Sequence, residues 1–197
     1  VKDGGQDLAH LCAAAERKDF RPVPLSARLK GELHSRIRKI PQYNVAGLVP
    51  GTDPHLKEEV VIYSAHWDHL GKIEGAGDTI YNGAVDNGSG VAALLAMAQA
   101  AVRAPAKRSQ LFLWVCAEEQ GLLGSSAYVA EPLWPLARTA ANLNLDSLNW
   151  VGTTRDVSVG GSERTDLQDF CARVAEEMGL TLAKAAPDLR GSYFRSD

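Results

Sequence analysis

Two short runs carry apolar residues on both faces of what must be extended chain: Val60-Val-Ile-Tyr63 and, fifty residues on, Gln110 to Ala117. An amphipathic strand needs only one apolar face, so a run apolar on both is a strand buried on both sides. Between the two lies a helical pattern, Val91, Leu94, Leu95, Ala98, Ala101 and Val102, ended before Pro105. Buried strands separated by an amphipathic helix predict an α/β domain with helices on both faces of the sheet. The rest of the chain agrees. Tyr43 to Val49 reads as a strand stopped by Pro50-Gly51, Gly121 to Ala130 as a helix, and Ala141 to Asp146 and Asp156 to Val159 as short strands. A helix is expected from about Thr165 to Met178, with Leu167, Phe170, Cys171, Val174 and Met178 on its apolar face. A Thr165/Gln168 capping box would open it and Gly179 would close it. Nearer the start, Asp7 opens a short amphipathic helix with Leu8, Leu11, Cys12 and Ala15, and Pro22 and Pro24 end it. From Arg28 to Arg38 the chain alternates, with Leu29, Leu33 and Ile37 on one side and charged residues or His34 on the other, which predicts a strand with one wet face.

Composition removes several function classes. With 21 Lys and Arg against 24 Asp and Glu, a formal charge of −3 gives no general electrostatic attraction for nucleic acid. No apolar stretch approaches the ~20 residues that cross a bilayer, so no membrane span is expected. Cys12, Cys116 and Cys171 include no CxxC pair, which speaks against a thiolate zinc site. The chain starts at Val1 and stops at Asp197, and both ends read as cuts in a longer protein.

In open α/β sheets ligands bind beyond the carboxyl ends of the strands. Acidic and imidazole side chains cluster there in four separate segments: His66-Trp-Asp68-His69, Asn82-Gly-Ala-Val-Asp86-Asn87-Gly-Ser-Gly90, Glu118-Glu119 and Asn144-Leu-Asp146. Singly each has an ordinary explanation: a histidine after a strand, a helix N-cap, a solvated glutamate pair. Together they would repel one another on one buried rim unless a cation sat among them. Imidazole and carboxylate without thiolate suit zinc or a similar divalent ion.

In this order and spacing, and with Ala117-Glu118-Glu119-x-Gly121-Leu-x-Gly124-Ser125 around the glutamates, the segments resemble the M28 family of co-catalytic zinc peptidases. The likeness runs from about Val23 to Asp197 and is strongest to bacterial exopeptidases that release N-terminal residues. It implies a three-layer αβα sandwich with a mixed, mostly parallel central sheet. It also implies residue roles. His66 would bind one metal and Asp146 would complete that metal's protein ligands. Asp86 would bridge both metals, and Glu119 would bind the other. Asp68 would hold the His66 ring, and Glu118 would be the general base in peptide hydrolysis by a metal-bridging hydroxide. The Asp86–Asn87 peptide would be cis. His69 matches no ligand position, and Ser89 and Ser125 read as turn or helix-start residues. Trp67 and Trp150 would shape the pocket and Trp114 would pack in the core, while His10, His34 and His55 lie on polar segments.

The resemblance also sets further expectations. A fifth ligand, a histidine for the Glu119 metal, would follow a stretch like Tyr193-Phe-Arg-Ser-Asp197, and no upstream histidine takes its place in the motif order. Two zinc ions are therefore expected in the complete enzyme, and one or none in this chain, with little activity. Residues 1–22 would be a helix and linker following a protease-associated domain in cis, and 23–197 a catalytic domain incomplete at its C-terminus. The partner would be a peptide and the location extracytoplasmic. Two competing readings are a non-catalytic binding or receptor-like homologue and a one-zinc acyl transferase of the glutaminyl cyclase kind.

Overall fold

A computed structural model describes residues 5–26, 28, 30–161, 164–184 and 191–197. The chain divides into two compact units, Val1–Ile40 and Pro41–Asp197. The first contains helix α1, Leu8–Ala15, whose start is fixed by Asp7: its carboxylate accepts from the amides of Ala9 at 2.8 Å and His10 at 3.2 Å. No residue of α1 is buried. The strand expected across 28–38 is absent among the described residues, and Leu33 and Ile37 are 89% and 90% exposed. Alternation makes one face fit for burial, but it does not supply the partner edge a strand needs. Leu29, part of that pattern, lies outside the described residues.

The second unit holds a four-stranded sheet. Its strands are β1 (Val45–Val49), β2 (Val60–His66), β5 (Ser109–Val115) and β6 (Thr139–Asn144), in the order β1-β5-β2-β6. β2 runs parallel to both of its neighbours, and only β1 is antiparallel, against β5. The sheet is thus mixed and mostly parallel. β2 is the central strand the sequence calls for, with Val60, Ile62, Ser64, Ala65 and His66 all buried.

Helices cover both faces. On one side Val60, Ile62, Leu111, Leu113 and Val115 pack with Tyr128 of α3 (Leu123–Ala130) and with Trp134. On the other, Ala65 and Phe112 pack with Leu94 and Ala101 of α2 (Gly88–Arg103), and Trp114 joins them. Burying a side chain such as Leu94 or Phe112 stabilises by about 1.5–3 kcal/mol, and the period-2 alternation of β5 sends its odd and even residues to different clusters.

The path of the chain places the site. From β2 it crosses over α2 to β5 on one side, then by α3 to β6 on the other side of β2. The order therefore switches direction at β2, and such a switch opens a crevice at the strands' carboxyl ends. The register closes these ends together: His66 pairs with Val115, and Ser64 with Asn144.

Smaller elements fill in the remainder. β3 (Gly71–Lys72) and β4 (Ile80–Tyr81) form a short antiparallel pair inside the glycine-rich loop. β7 (Asp156–Val157) and β8 (Thr181–Leu182) pair in parallel, flanking α4 (Leu167–Glu177). The capping box expected for α4 does not form. Asp166 takes the N-cap place without a side-chain cap, and the Thr165 hydroxyl accepts instead from the Leu167 amide. The C-terminus behaves as expected, with Gly179 at φ +71° and the Leu180 amide bonded back to Ala175 O. Among the described residues no helix is long and apolar enough to cross a membrane.

Candidate metal centre

His66 ends β2 with its side chain 1% exposed. Its Nδ1 lies 3.1 Å from the Asp68 carbonyl and 3.7 Å from the Asp68 carboxylate. Asp68 thus meets the ring with both its carbonyl, the nearer group, and the carboxylate that the family likeness has holding it. That carboxylate accepts from the Glu118 amide at 3.1 Å, so Asp68 ties the β2 and β5 ends together. The other nitrogen, Nε2, is buried without a hydrogen bond, and it stands 3.1 Å from Asp86 Oδ1 and 3.4 Å from Asp146 Oδ1.

Asp86 and Asp146 come from different elements and are fixed by Asn87. The buried Asn87 amide donates to Leu145 O at 2.9 Å, and its Oδ1 accepts from Gly90 at 3.0 Å and Ser147 at 3.2 Å. It thereby caps α2 and pins the segment carrying Asp146. Gly90 is required there, because a Cβ would collide with Asn87 Oδ1 and Leu145 O. Ser89 adds a second tie, donating to Val85 O at 2.6 Å and accepting from Leu148 at 2.9 Å. The Asp86–Asn87 peptide is cis.

Glu118 and Glu119 follow β5 in a tight turn. Ala117 and Leu122 hold left-handed backbone at φ 56° and 59°, and Ser147, just after Asp146, does so at 50°. Such conformations cost a non-glycine residue about 1–2 kcal/mol and persist where the surroundings fix them. Asn44 supports the turn, donating to Gly124 O and accepting from the Cys116 amide.

Among the described residues two groups of ligand-type atoms result, each within 4.8 Å: His66, Asp86 and Asp146, and His69, Asp86 and Glu119. Asp86 belongs to both and Glu118 to neither. Burial pushes the Glu118 carboxyl up to about 7, against the opposing pull of His66 and with help from Asp197, Asp146 and Glu119. Burial would lower His66, but the Asp146 carboxylate beside it, with Glu118 and the Asp68 carbonyl, pushes it up to about 9. The neighbouring imidazole in turn lowers Asp146, while burial raises Asp197. A cleft of about 360 Å³ opens beside the pair, lined by Glu118, Glu119, Gly121, Leu122, Phe194 and Arg195.

All six residues singled out in the sequence thus stand on one rim. Trp114 packs in the core, whereas Trp150 is 73% exposed. The Ser125 hydroxyl lies within hydrogen-bond distance of Leu122 O and the Asp197 carboxylate and serves the turn, as its place after a glycine suggests. The sequence gives no hint of Asn44 or of the Asp68–Glu118 tie, since both are long-range. For Asn87 the signal was visible in its N-cap place before Gly88-Ser-Gly90.

Residues 44–197 match the family model described as Peptidase family M28. Aminopeptidase YwaD of Bacillus subtilis (strain 168) is 37% identical over 97 residues, which are 49% of this chain and 19% of that protein. The structure resembles that of BSAP, a zinc aminopeptidase from Bacillus subtilis, with a TM-score of 0.54 and 29% identity, over 71% of this chain and 33% of that one. A leucine aminopeptidase precursor from Bacteroides thetaiotaomicron VPI-5482 shares the fold at TM-score 0.56 and 20% identity, over 72% and 55% of the two chains. A Bacteroides thetaiotaomicron glutaminyl cyclase shares it at 0.54 and 18%, over 73% and 56%. The chain spans about a fifth of the length of the curated relative and about a third of that of BSAP.

Proposed function

The chain belongs to peptidase family M28, and from that premise we propose that it carries the catalytic core of a zinc-dependent exopeptidase that removes N-terminal residues from peptides. One observation carries the reading: two groups of ligand-type side chains share a single aspartate, Asp86. Adjacent metal positions in a two-metal hydrolase need such a shared carboxylate.

The donor set fits zinc. The edge of a tetrahedron with bonds of ~2.0–2.2 Å is about 3.3–3.6 Å, and His66 Nε2 lies 3.1 and 3.4 Å from the two aspartates. That nitrogen is buried and lacks a hydrogen bond, as expected of an atom kept for a cation. His66, Asp86 and Asp146 would hold the tighter ion, and Asp86 with Glu119 the weaker. Bound zinc supplies Lewis acidity, which acidifies water and polarises a carbonyl.

The remaining steps belong to the chain. Glu118 stays outside both ligand groups and faces the cleft. A carboxylate so placed accepts a proton from the attacking water and returns it to the departing amine. Asp68 fixes Glu118 through its amide, and Leu122 and Phe194 give the cleft apolar walls for a peptide side chain. Residues 1–22 would be a helix and linker, and 23–197 the catalytic domain, which contains the compact unit Pro41–Asp197. A protease-associated domain in cis and a location outside the cytoplasm complete the proposal.

The test is hydrolysis of aminoacyl 4-nitroanilides by the zinc-loaded full-length protein, alongside Asp86→Ala. Turnover that Asp86→Ala abolishes together with bound zinc is the expected result. Zinc binding without turnover would point to a binding homologue, and ammonia release from N-terminal glutamine substrates alone would point to a cyclase.

A further inference from the structure

His69 stands three residues beyond His66 and points at the other metal position. Its Nδ1 lies 2.6 Å from Glu119 Oε1, both side chains being about four-fifths buried (20% and 17% exposed). That separation differs in kind from those around His66. It is well below the tetrahedral edge of about 3.3–3.6 Å, whereas 3.1 and 3.4 Å are close to it. It is the distance of a charge-assisted hydrogen bond, about 2.7 Å. In the tautomer with the proton on Nδ1, the ring donates to Glu119 Oε1.

The ring is held in place from two other sides. Tyr81 on β4 meets it edge-on, with centroids 6.2 Å apart at 71°. Gly83, at φ +67°, leaves it room: a Cβ there would come within 3.0 Å of His69 Cβ and 2.9 Å of Asp86 O. The glycine-rich loop thus places an imidazole against Glu119 while presenting Asp86 to both positions.

We propose that His69 is a positioning residue for Glu119: its Nδ1–H binds one carboxylate oxygen and leaves the other to face the weaker metal position beside Asp86. This rests on the two-metal reading above and adds the residue that makes its second position usable. Partners of this kind, one shell out from the metal, are worth about 10–100-fold in affinity.

The experiment is zinc titration of the full-length protein against a chromogenic chelator, for His69→Asn, His69→Ala and Glu119→Ala. The asparagine amide carries an N–H at the place of Nδ1, and alanine does not. The expected result is that His69→Ala weakens the second zinc about 10–100-fold, His69→Asn restores most of that affinity, and the first zinc is unchanged in both. The unchanged first zinc also reports that the variants fold. Equal loss in His69→Asn and His69→Ala would make the imidazole a ligand and overturn the proposal, and so would no change in either. Glu119→Ala separates the two levels of the account: if that variant still binds two zinc ions, the two-metal reading itself fails, whatever His69 does.

Discussion

In the proposed reading two demands meet at Glu118: the residue would sit among carboxylates, yet would not be consumed by the metal. Its place outside both ligand groups agrees with that. Glu118→Gln should lower kcat by ~10²–10⁴, the usual worth of a general base, and leave zinc content intact by elemental analysis. Equal zinc loss in Glu118→Gln and Asp86→Ala would make Glu118 a ligand. A second prediction concerns protons in the metal-free protein. Glu118 moves from 4.5 to about 7 and His66 from 6.5 to about 9. Both shifts mean that the folded chain binds more protons than the unfolded chain, so stability must fall as pH rises. The Glu118 contribution fades between about 4.5 and 7, and that of His66 between about 6.5 and 9. The lowered Asp146 acts with opposite sign, but only in acid, at and below its ordinary value of 3.8. The Tm of the chelator-treated protein should therefore decline from pH 5 to pH 9, and zinc should restore it most at the alkaline end. A flat profile without metal would contradict the charge balance described for the rim. These residues were legible in the sequence because four acidic or imidazole segments fall at strand ends. What the sequence could not supply was their orientation: that the Asp68 carboxylate turns to the Glu118 amide, or that His69 turns to Glu119, depends on loop closure across fifty residues.

Among the elements, the start of α2 does the most to set the site. Asn87 caps the helix through Gly90 and joins it to the segment after β6 by two further hydrogen bonds, and Gly90 lets the two backbones touch. Asn87→Ala would strand the Leu145 carbonyl and the Gly90 and Ser147 amides. A lost cap costs about 1 kcal/mol, and each group left unpaired adds about 1–3 kcal/mol. A drop of several kcal/mol in denaturant unfolding is expected, together with weaker zinc binding because the Asp86–Asp146 spacing is released. Unchanged zinc affinity in a destabilised Asn87→Ala would confine Asn87 to the fold. Elements with local causes could be read directly: the doubly apolar β2 and β5, the heptad-like spacing of α2, the glycine that ends α4. Elements that depend on a distant partner could not. The alternation at 28–38 found no ladder among the described residues, and Thr165 capped Leu167 rather than closing a box with Gln168.

For the molecule as a whole, both core clusters and every site residue come from 41–197. A chain beginning at Pro41 should therefore unfold cooperatively and bind zinc with unchanged affinity, as calorimetry and chelator competition would read. Loss of cooperativity would mean that residues 1–40 complete the core. The α/β class and helices on both faces followed from burial pattern alone; the strand order β1-β5-β2-β6, and with it the switch at β2 that opens the crevice, is a property of crossovers that no local pattern encodes. In the proposed function this crevice gathers His66, Asp86 and Asp146 around a metal. An anomalous difference map at the zinc edge, from crystals of the zinc-loaded protein, reads that directly. Its strongest peak should lie within bonding distance of His66 Nε2, Asp86 and Asp146. A map with bound zinc elsewhere and none at His66 would contradict that reading.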